Sequence, residues 1–88
     1  MDLLVSGTFS RQFRRLSSQM QARVRRALDS LADDPRRARP GCDIKRLAGV
    51  DPATYRLRVG DWRLIYRVTS RRVEIGDLVH RGRGYRLD

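Results

Sequence analysis

The sequence predicts an α+β fold in which a short N-terminal strand precedes two antiparallel helices packed on a small, mainly antiparallel sheet. The predicted order of elements is β-α-α-β-β-β. Apolar residues first recur at helical spacing and then, in the second half of the chain, alternate with polar ones. The dipeptide Gly60-Asp61 separates two β-rich runs, which is typical of a two-residue hairpin turn. With 88 residues, we expect a single domain over residues 1–88.

The N-terminal part of the chain is predicted to form a strand over residues 2–6 and then two helices. Thr8 or Ser10 offers an N-cap for the first helix, and Ser17-Ser18 permits a break and a second cap. The residue before a proline avoids the α region, so the second helix is expected to end before Pro35. The apolar positions of the two helices are Phe9, Phe13, Leu16, Met20, Val24, Ala27, Leu28 and Leu31.

The predicted hairpin has two faces of different composition, because side chains alternate across a strand. We assign the apolar face to the core; it carries Tyr55, Leu57, Val59, Trp62, Leu64 and Tyr66. The other face carries Arg56, Arg58, Arg63 and Arg67. Like charges directly opposite one another weaken a sheet. We therefore interpret this face as one that receives an anion, the alternative being a solvated basic surface.

The segments around the hairpin are predicted to be a loop and a further strand. Residues 35–43 contain two prolines and a glycine and are expected to form a loop. A strand over residues 73–79 is expected to return beside residues 62–68, with a bulge at Gly76-Asp77. In that register Arg67 faces Glu74, and the ion pair between them removes Arg67 from the candidate site.

The composition indicates a polyanionic partner, since the net charge is +10 and the isoelectric point is about 11.4. A single cysteine and a single histidine exclude a disulfide framework and a zinc site, so we expect neither a metal nor a cofactor. The N-terminus lacks the pattern of a signal peptide, and no run is apolar enough to span a membrane. We therefore expect a cytoplasmic protein with no membrane partner.

One chemistry compatible with these residues is RNA strand cleavage, in which the ribose 2′-OH attacks the adjacent phosphorus. Arginines on a strand face can hold the charge that builds on the phosphate oxygens. An arginine stays protonated and is a poor base, so the proton transfers are left to His80 or Tyr85. A structural role for His80 and base stacking by Tyr85 are the alternatives.

Three segments, RLAG at 46–49, YRLRVGDWRLIYRV at 55–68 and VHRGRGYR at 79–86, resemble the RelE/ParE superfamily of bacterial toxins from type II toxin–antitoxin systems. The resemblance extends over essentially the whole chain and implies a RelE-like fold. In the RelE branch, it implies a ribosome-dependent endoribonuclease that cuts mRNA in the ribosomal A site, touches 16S ribosomal RNA, and needs no metal. In the ParE branch, a similar scaffold inhibits DNA gyrase by binding and cuts nothing.

The resemblance also assigns roles by position. Arg56 and Arg58 match two basic residues of the second strand that bind RNA phosphates. Arg63 and Arg81 match arginines of the catalytic site. Tyr85 matches a C-terminal tyrosine that stacks on or deprotonates the nucleotide, and His80 matches a histidine found in several branches. The position typically held by a proton-transferring lysine carries arginine here, which moves that role to His80 or Tyr85.

The expected partners are a cognate antitoxin and mRNA on the ribosome. A face with this much positive charge favours an acidic, partly disordered antitoxin segment that folds over it. We expect the antitoxin to cover the basic face, the apolar flank of the helices, or both. A third alternative is a catalytically silent module that binds RNA or the ribosome.

Overall fold

The computed structural model describes residues 1–50 and 52–81. Its elements are β1 (Asp2–Val5), α1 (Gly7–Arg14), α2 (Ser18–Asp33), β2 (Asp43–Arg46), β3 (Thr54–Val59), β4 (Trp62–Val68) and β5 (Arg72–His80). The α+β class and the predicted helical hairpin are confirmed. One strand, β2, is additional to the predicted order. It has four residues, of which only Ile44 is buried, and so short a run carries no readable alternation.

The five strands form one sheet in the order β1-β5-β4-β3-β2. β1 runs parallel to β5, and the other neighbours are antiparallel. The first and last strands therefore lie side by side, and the two helices connect β1 to the rest of the sheet. Both edge strands, β1 and β2, are only four residues long, which limits the backbone left open to pairing with another chain.

Both helices begin at serine caps. The Ser6 hydroxyl accepts from the Phe9 N–H at 3.0 Å and donates to the Gly76 carbonyl at 2.6 Å. Neither Thr8 nor Ser10 is the cap, because the helix already begins at Gly7. The Ser17 hydroxyl accepts from the Met20 N–H at 3.2 Å, so the predicted second cap is confirmed. No helix in the described part of the chain has the length and apolar character needed to cross a membrane.

The hairpin of β3 and β4 has the predicted register, with Val59 opposite Trp62 and Arg58 opposite Arg63. Gly60 has a φ of 59°, a backbone conformation that favours glycine at the first position of such a turn. The predicted ion pair is also present, with Arg67 Nη2 at 3.3 Å from Glu74 Oε1.

The predicted bulge lies in β5. Ile65 pairs with Asp77 and Tyr66 pairs with Ile75, so Gly76 is an extra residue on β5. Before the bulge, Val73 and Ile75 share the sheet face of Tyr66. After it, Leu78 and His80 lie on that face instead of Asp77 and Val79. The bulge therefore exchanges the two faces for the last part of the strand.

The core lies between the helices and one face of the sheet, which we call the helix face. Its buried members include Phe9, Val24, Leu31, Leu57, Leu64, Tyr66, Ile75 and Leu78. The opposite face, which we call the open face, carries Arg56, Arg58 and Arg63, as their register requires. Its apolar member Ile65 is buried as well, so the open face is not uniformly basic.

Candidate functional site

Three arginines surround a cavity of about 160 Å³ at the hairpin end of the open face. We call it the arginine cavity; it is lined by Arg58, Gly60, Asp61, Trp62, Arg63 and Arg81. The hairpin register sets Arg58 beside Arg63. Arg81 reaches them because its N–H donates to the Asp61 carbonyl at 2.8 Å, directly after β5 ends. The three guanidinium groups therefore come from three neighbouring segments.

The electrostatics of the arginine cavity favour an anion. Three arginines and one aspartate line it, which gives three positive charges against one negative charge, or +2. Asp61 Oδ1 lies 3.5 Å from Arg81 Nε, and Asp43 Oδ2 lies 3.9 Å from Arg58 Nε. The side chains of Arg58 and Arg81 are 48 % and 69 % exposed. Water screens such exposed pairs, so a phosphate can compete with these carboxylates.

Arg56 is placed differently from the other two arginines of the predicted face. It lies on the open face by register, but it is only 6 % exposed. Its Nη1 donates to the Asp43 carbonyl at 3.1 Å and to Asp43 Oδ1 at 3.3 Å. This burial does not favour the contact with RNA phosphate that the resemblance implies for Arg56. The reason for the burial is β2, which pairs with β3 and brings Asp43 over Arg56.

His80 lies on the helix face, across the sheet from the arginine cavity. It pairs with Trp62, and the two rings meet edge to face with 5.1 Å between centroids. His80 lines a second cavity of about 550 Å³ and is not among the residues around the arginine cavity. The bulge at Gly76 is the cause, because it directs Val79 to the open face and His80 to the helix face. The structure therefore brings together Arg58, Arg63 and Arg81 but not His80.

Tyr85 lies outside the described residues, and its role remains a prediction. Among residues 1–50 and 52–81, no group of three or more His, Cys, Asp or Glu side chains is placed to hold a metal ion. The single cysteine, Cys42, is buried with a free thiol.

Two groups with shifted pKa values lie away from the arginine cavity. Burial raises the pKa of Tyr66, whose hydroxyl donates to the Pro35 carbonyl at 2.8 Å. The backbone N–H of Arg36, and then the side chain of Arg37, lower the pKa of Asp34. Both groups fix the segment after α2, so we assign them structural roles.

The sequence pattern does not identify Asp61 and Trp62 as parts of the site. Asp61 appeared only as a turn residue and Trp62 only as a core residue. Asp61 lies beside the end of β5 because the β4–β5 pairing continues to His80. A prediction that extends the pairing this far would identify Asp61. Because the predicted strand stopped at residue 79, this proximity was not visible.

The fold and the arginine cavity define a small basic α+β domain with three arginines at one rim of its sheet. Residues 3–85 match the family model described as ParE toxin of type II toxin–antitoxin system, parDE. The chain belongs to this family, and so to the RelE/ParE superfamily of toxins. No curated protein matches the chain in sequence.

Solved structures of the superfamily share the fold. A chain of the archaeal RelE–RelB complex from Pyrococcus horikoshii OT3 is 27 % identical with a TM-score of 0.81, covering 94 % of this chain and 97 % of that chain. A chain of the toxin–antitoxin complex RelBE2 from Mycobacterium tuberculosis is 27 % identical with a TM-score of 0.72, covering 91 % of this chain and 96 % of that chain. Isolated Escherichia coli RelE, 19 % identical, has a TM-score of 0.75 over 96 % of this chain and 87 % of that chain. At this last identity the likeness concerns the fold alone.

Proposed function

We propose that this toxin is a ribosome-dependent endoribonuclease that cleaves mRNA in the ribosomal A site and thereby stops translation. The observation that carries the proposal is the arginine cavity, in which Arg58, Arg63 and Arg81 surround one space on the open face. Its volume of about 160 Å³ is several times the ~30 Å³ that one water molecule occupies in the liquid. It therefore has room for one phosphate group of an RNA strand.

The three guanidinium groups supply the charge that the reaction needs. The 2′-oxygen forms a bond to phosphorus while the bond from phosphorus to the 5′-oxygen breaks, leaving a 2′,3′-cyclic phosphate and a 5′-hydroxyl. Negative charge builds on the non-bridging oxygens during this step. Arginine binds such oxygens through paired N–H donors, and donors fixed before the reaction stabilise the transition state most. No step of this scheme requires a metal ion.

The proton transfers need a group other than arginine, since the guanidinium remains protonated. The 2′-OH loses a proton and the leaving 5′-oxygen gains one. His80 lies across the sheet from the arginine cavity, and this position favours Tyr85 over His80 as the residue that receives the 2′-OH proton. Arg56, which is buried against Asp43, is proposed to hold the strand under the site and not to touch RNA.

A cognate antitoxin is the proposed protein partner. The Mycobacterium tuberculosis structure is a toxin–antitoxin complex, and the Pyrococcus horikoshii structure is a RelE–RelB complex. An acidic antitoxin segment complements the +10 net charge of this chain. We expect it to cover the arginine cavity, the apolar flank of the helices, or both. A structure of the complex in which both surfaces stay open would contradict this. The proposed target places the protein in the cytoplasm.

A gyrase-directed toxin is the second candidate, and the family match to ParE toxins favours it. In that case the basic open face would bind a protein or DNA surface, and no RNA bond would break.

Expression in cells followed by mapping of mRNA 5′ ends separates the two candidates. The nuclease proposal predicts new 5′ ends at codon edges of translated messages, appearing with growth arrest. Filamentation and induction of the DNA-damage response, with mRNA left intact, would contradict the nuclease proposal and support gyrase inhibition. RNA binding without growth arrest would contradict both and indicate a silent binding module.

A further inference from the structure

A second cavity lies across the sheet rim from the arginine cavity, and none of the proposed chemistry uses it. We call it the aromatic cavity; its volume is about 550 Å³, and it is lined by Gln12, Arg15, Trp62, Leu78, Val79 and His80. It combines two aromatic rings, an amide and a guanidinium group with two aliphatic residues. This is a composition typical of sites that bind flat heteroaromatic groups.

The sheet topology explains why this cavity is open. β1 ends at Val5, opposite Ile75, so β5 beyond its bulge has no neighbouring strand on that side. Helix α1 covers the beginning of this gap, where Gln12 Oε1 accepts from the Leu78 N–H at 2.8 Å. Further along, Trp62 and His80 remain only partly buried. His80 at the end of β5 is thus left partly uncovered, and Trp62 lies beside it on β4.

The geometry of the two rings suits a nucleobase. Their planes cross at 83° with 5.1 Å between centroids, so a planar group stacked on one ring would present its own edge to the face of the other. Base–aromatic stacking is the usual way in which proteins hold unpaired nucleotides. Arg15 is exposed beside the rings, and its guanidinium group can bind an adjoining phosphate or the base edge.

The aromatic cavity is adjacent to the arginine cavity, because Trp62 lines both. In two places an aromatic residue of the aromatic cavity is followed directly in sequence by an arginine of the arginine cavity. Arg63 follows Trp62 and Arg81 follows His80, and in each case the arginine lines the arginine cavity while the aromatic residue lines the aromatic cavity.

We propose that the aromatic cavity binds one unstacked base of the RNA strand, next to the phosphate held in the arginine cavity. The inference rests on the proposed function and adds to it a site for base recognition. It identifies Trp62, His80 and Arg15 as the residues that contact this base.

The fluorescence of Trp62, the single tryptophan of the chain, reports binding directly. The full-length toxin is titrated with a short 2′-O-methyl RNA, which has no free 2′-OH to attack, and with an abasic strand carrying the same phosphates. We expect the base-containing strand to quench Trp62 and to bind at least about fivefold more tightly than the abasic strand, the scale of one base–aromatic stack. Equal quenching and equal affinity for the two strands would overturn the proposal.

Matched variants locate the effect. His80→Ala and Arg15→Ala are expected to weaken binding of the base-containing strand, measured by anisotropy of a labelled strand. His80→Ala is expected to leave binding of the abasic strand nearly unchanged. Arg14→Ala removes the same charge from the exposed end of α1, outside the lining of the cavity, and is expected to cause less than a twofold change. If Arg14→Ala and Arg15→Ala weaken binding equally, the contribution is diffuse charge and the proposal fails.

The test is independent of cleavage. A toxin that fails to cut mRNA but shows base-dependent quenching would remove the nuclease proposal and keep this one. A toxin that cuts mRNA and shows no base-dependent quenching would remove this inference and keep the nuclease proposal. A Trp62 signal that responds to the antitoxin but not to the base-containing strand would identify a protein contact and also overturn the inference.

Discussion

Arg56 and Arg58 lie two residues apart on the same strand and on the same sheet face, but their surroundings differ. Arg56 is 6 % exposed and donates to Asp43, whereas the side chain of Arg58 is half-exposed and lines the arginine cavity. A buried charge that loses its hydrogen bonds costs far more free energy than an exposed one. The two arginines are therefore expected to have separate roles, one in stability and one in binding.

The paired substitutions Arg56→Ala and Arg58→Ala test this separation. We expect Arg56→Ala to lower the free energy of unfolding by about 2–3 kcal/mol, since it removes buried hydrogen bonds and packing. Arg58→Ala is expected to change it by less than about 0.5 kcal/mol, as for most exposed positions, while weakening RNA binding. Urea denaturation measures the first quantity, and titration with a labelled strand measures the second. Similar losses of stability in both variants would contradict the assignment.

Asp61 is a second residue whose role follows from its position in the fold and not from its residue type. It occupies the hairpin turn, accepts the Arg81 N–H through its carbonyl, and holds the Arg81 guanidinium at 3.5 Å through its carboxylate. One turn residue thus connects the loop of the hairpin to the end of β5. Turn propensity predicted where the chain reverses but not which distant arginine meets the turn.

At the scale of elements, the hairpin of β3 and β4 was predicted to the residue because its determinants are local. A Gly-Asp turn and an alternation of apolar and basic residues, broken only at Ile65, fix its register. β2 was missed because it is short and because its pairing with β3 depends on a loop of irregular composition. β2 also explains why Arg56 is buried against Asp43.

Gly60 provides a test of the turn. Its φ of 59° is the conformation that L-residues avoid, and a Cβ there would lie 3.0 Å from Arg23 Nη1 and 3.1 Å from Met20 Cε. Both atoms lie at the ends of flexible side chains that can move aside. The loss of stability is therefore determined by the backbone conformation at Gly60. We expect Gly60→Ala to reduce the free energy of unfolding by about 1–2 kcal/mol.

Gly7→Ala is the matched control. Gly7 is helical, and its added Cβ would be in ordinary contact with Arg11 Nη1 at 3.4 Å. Alanine is favoured over glycine in a helix by up to about 1 kcal/mol, so we expect this variant to be neutral or slightly stabilised in thermal unfolding. A Gly60→Ala variant as stable as Gly7→Ala would show that the turn tolerates a side chain.

The bulge in β5 has the largest effect on the site of any single element. By inserting Gly76, it sends Val79 to the open face and His80 to the helix face. The loss of alternation at Gly76-Asp77 predicts the bulge. It does not by itself predict that His80 exchanges faces and lies apart from the arginines.

At the scale of the whole molecule, the sheet order brings the hairpin turn and the end of β5 to one rim. The two cavities lie on either side of that rim and share Trp62. The fold class was predictable because helical and strand periods differ clearly along the chain. The pairing of β1 with β5 was not, since it joins residues some 70 positions apart and no local pattern encodes it.

The net charge of +10 acts at this scale as well. It draws the toxin towards any polyanion, and such attraction weakens steeply as salt concentration rises. Charge alone therefore does not distinguish a nuclease from a binding module. The distinction depends on the arginine cavity and on whether a phosphodiester bond breaks inside it.

The most direct test of the central claim is cleavage of mRNA on programmed ribosomes by purified wild type, Arg63→Ala, Arg81→Ala and the control Arg71→Ala, each first shown to be folded by circular dichroism. Arg71 lies in the exposed turn before β5, far along the strand from the arginine cavity. We predict A-site cleavage that leaves a 2′,3′-cyclic phosphate, with wild-type rates for Arg71→Ala and a loss of about 100-fold for each of the other two variants, as when one preorganised transition-state donor is removed. Full cleavage by both Arg63→Ala and Arg81→Ala, or intact mRNA with the wild type, would contradict the account.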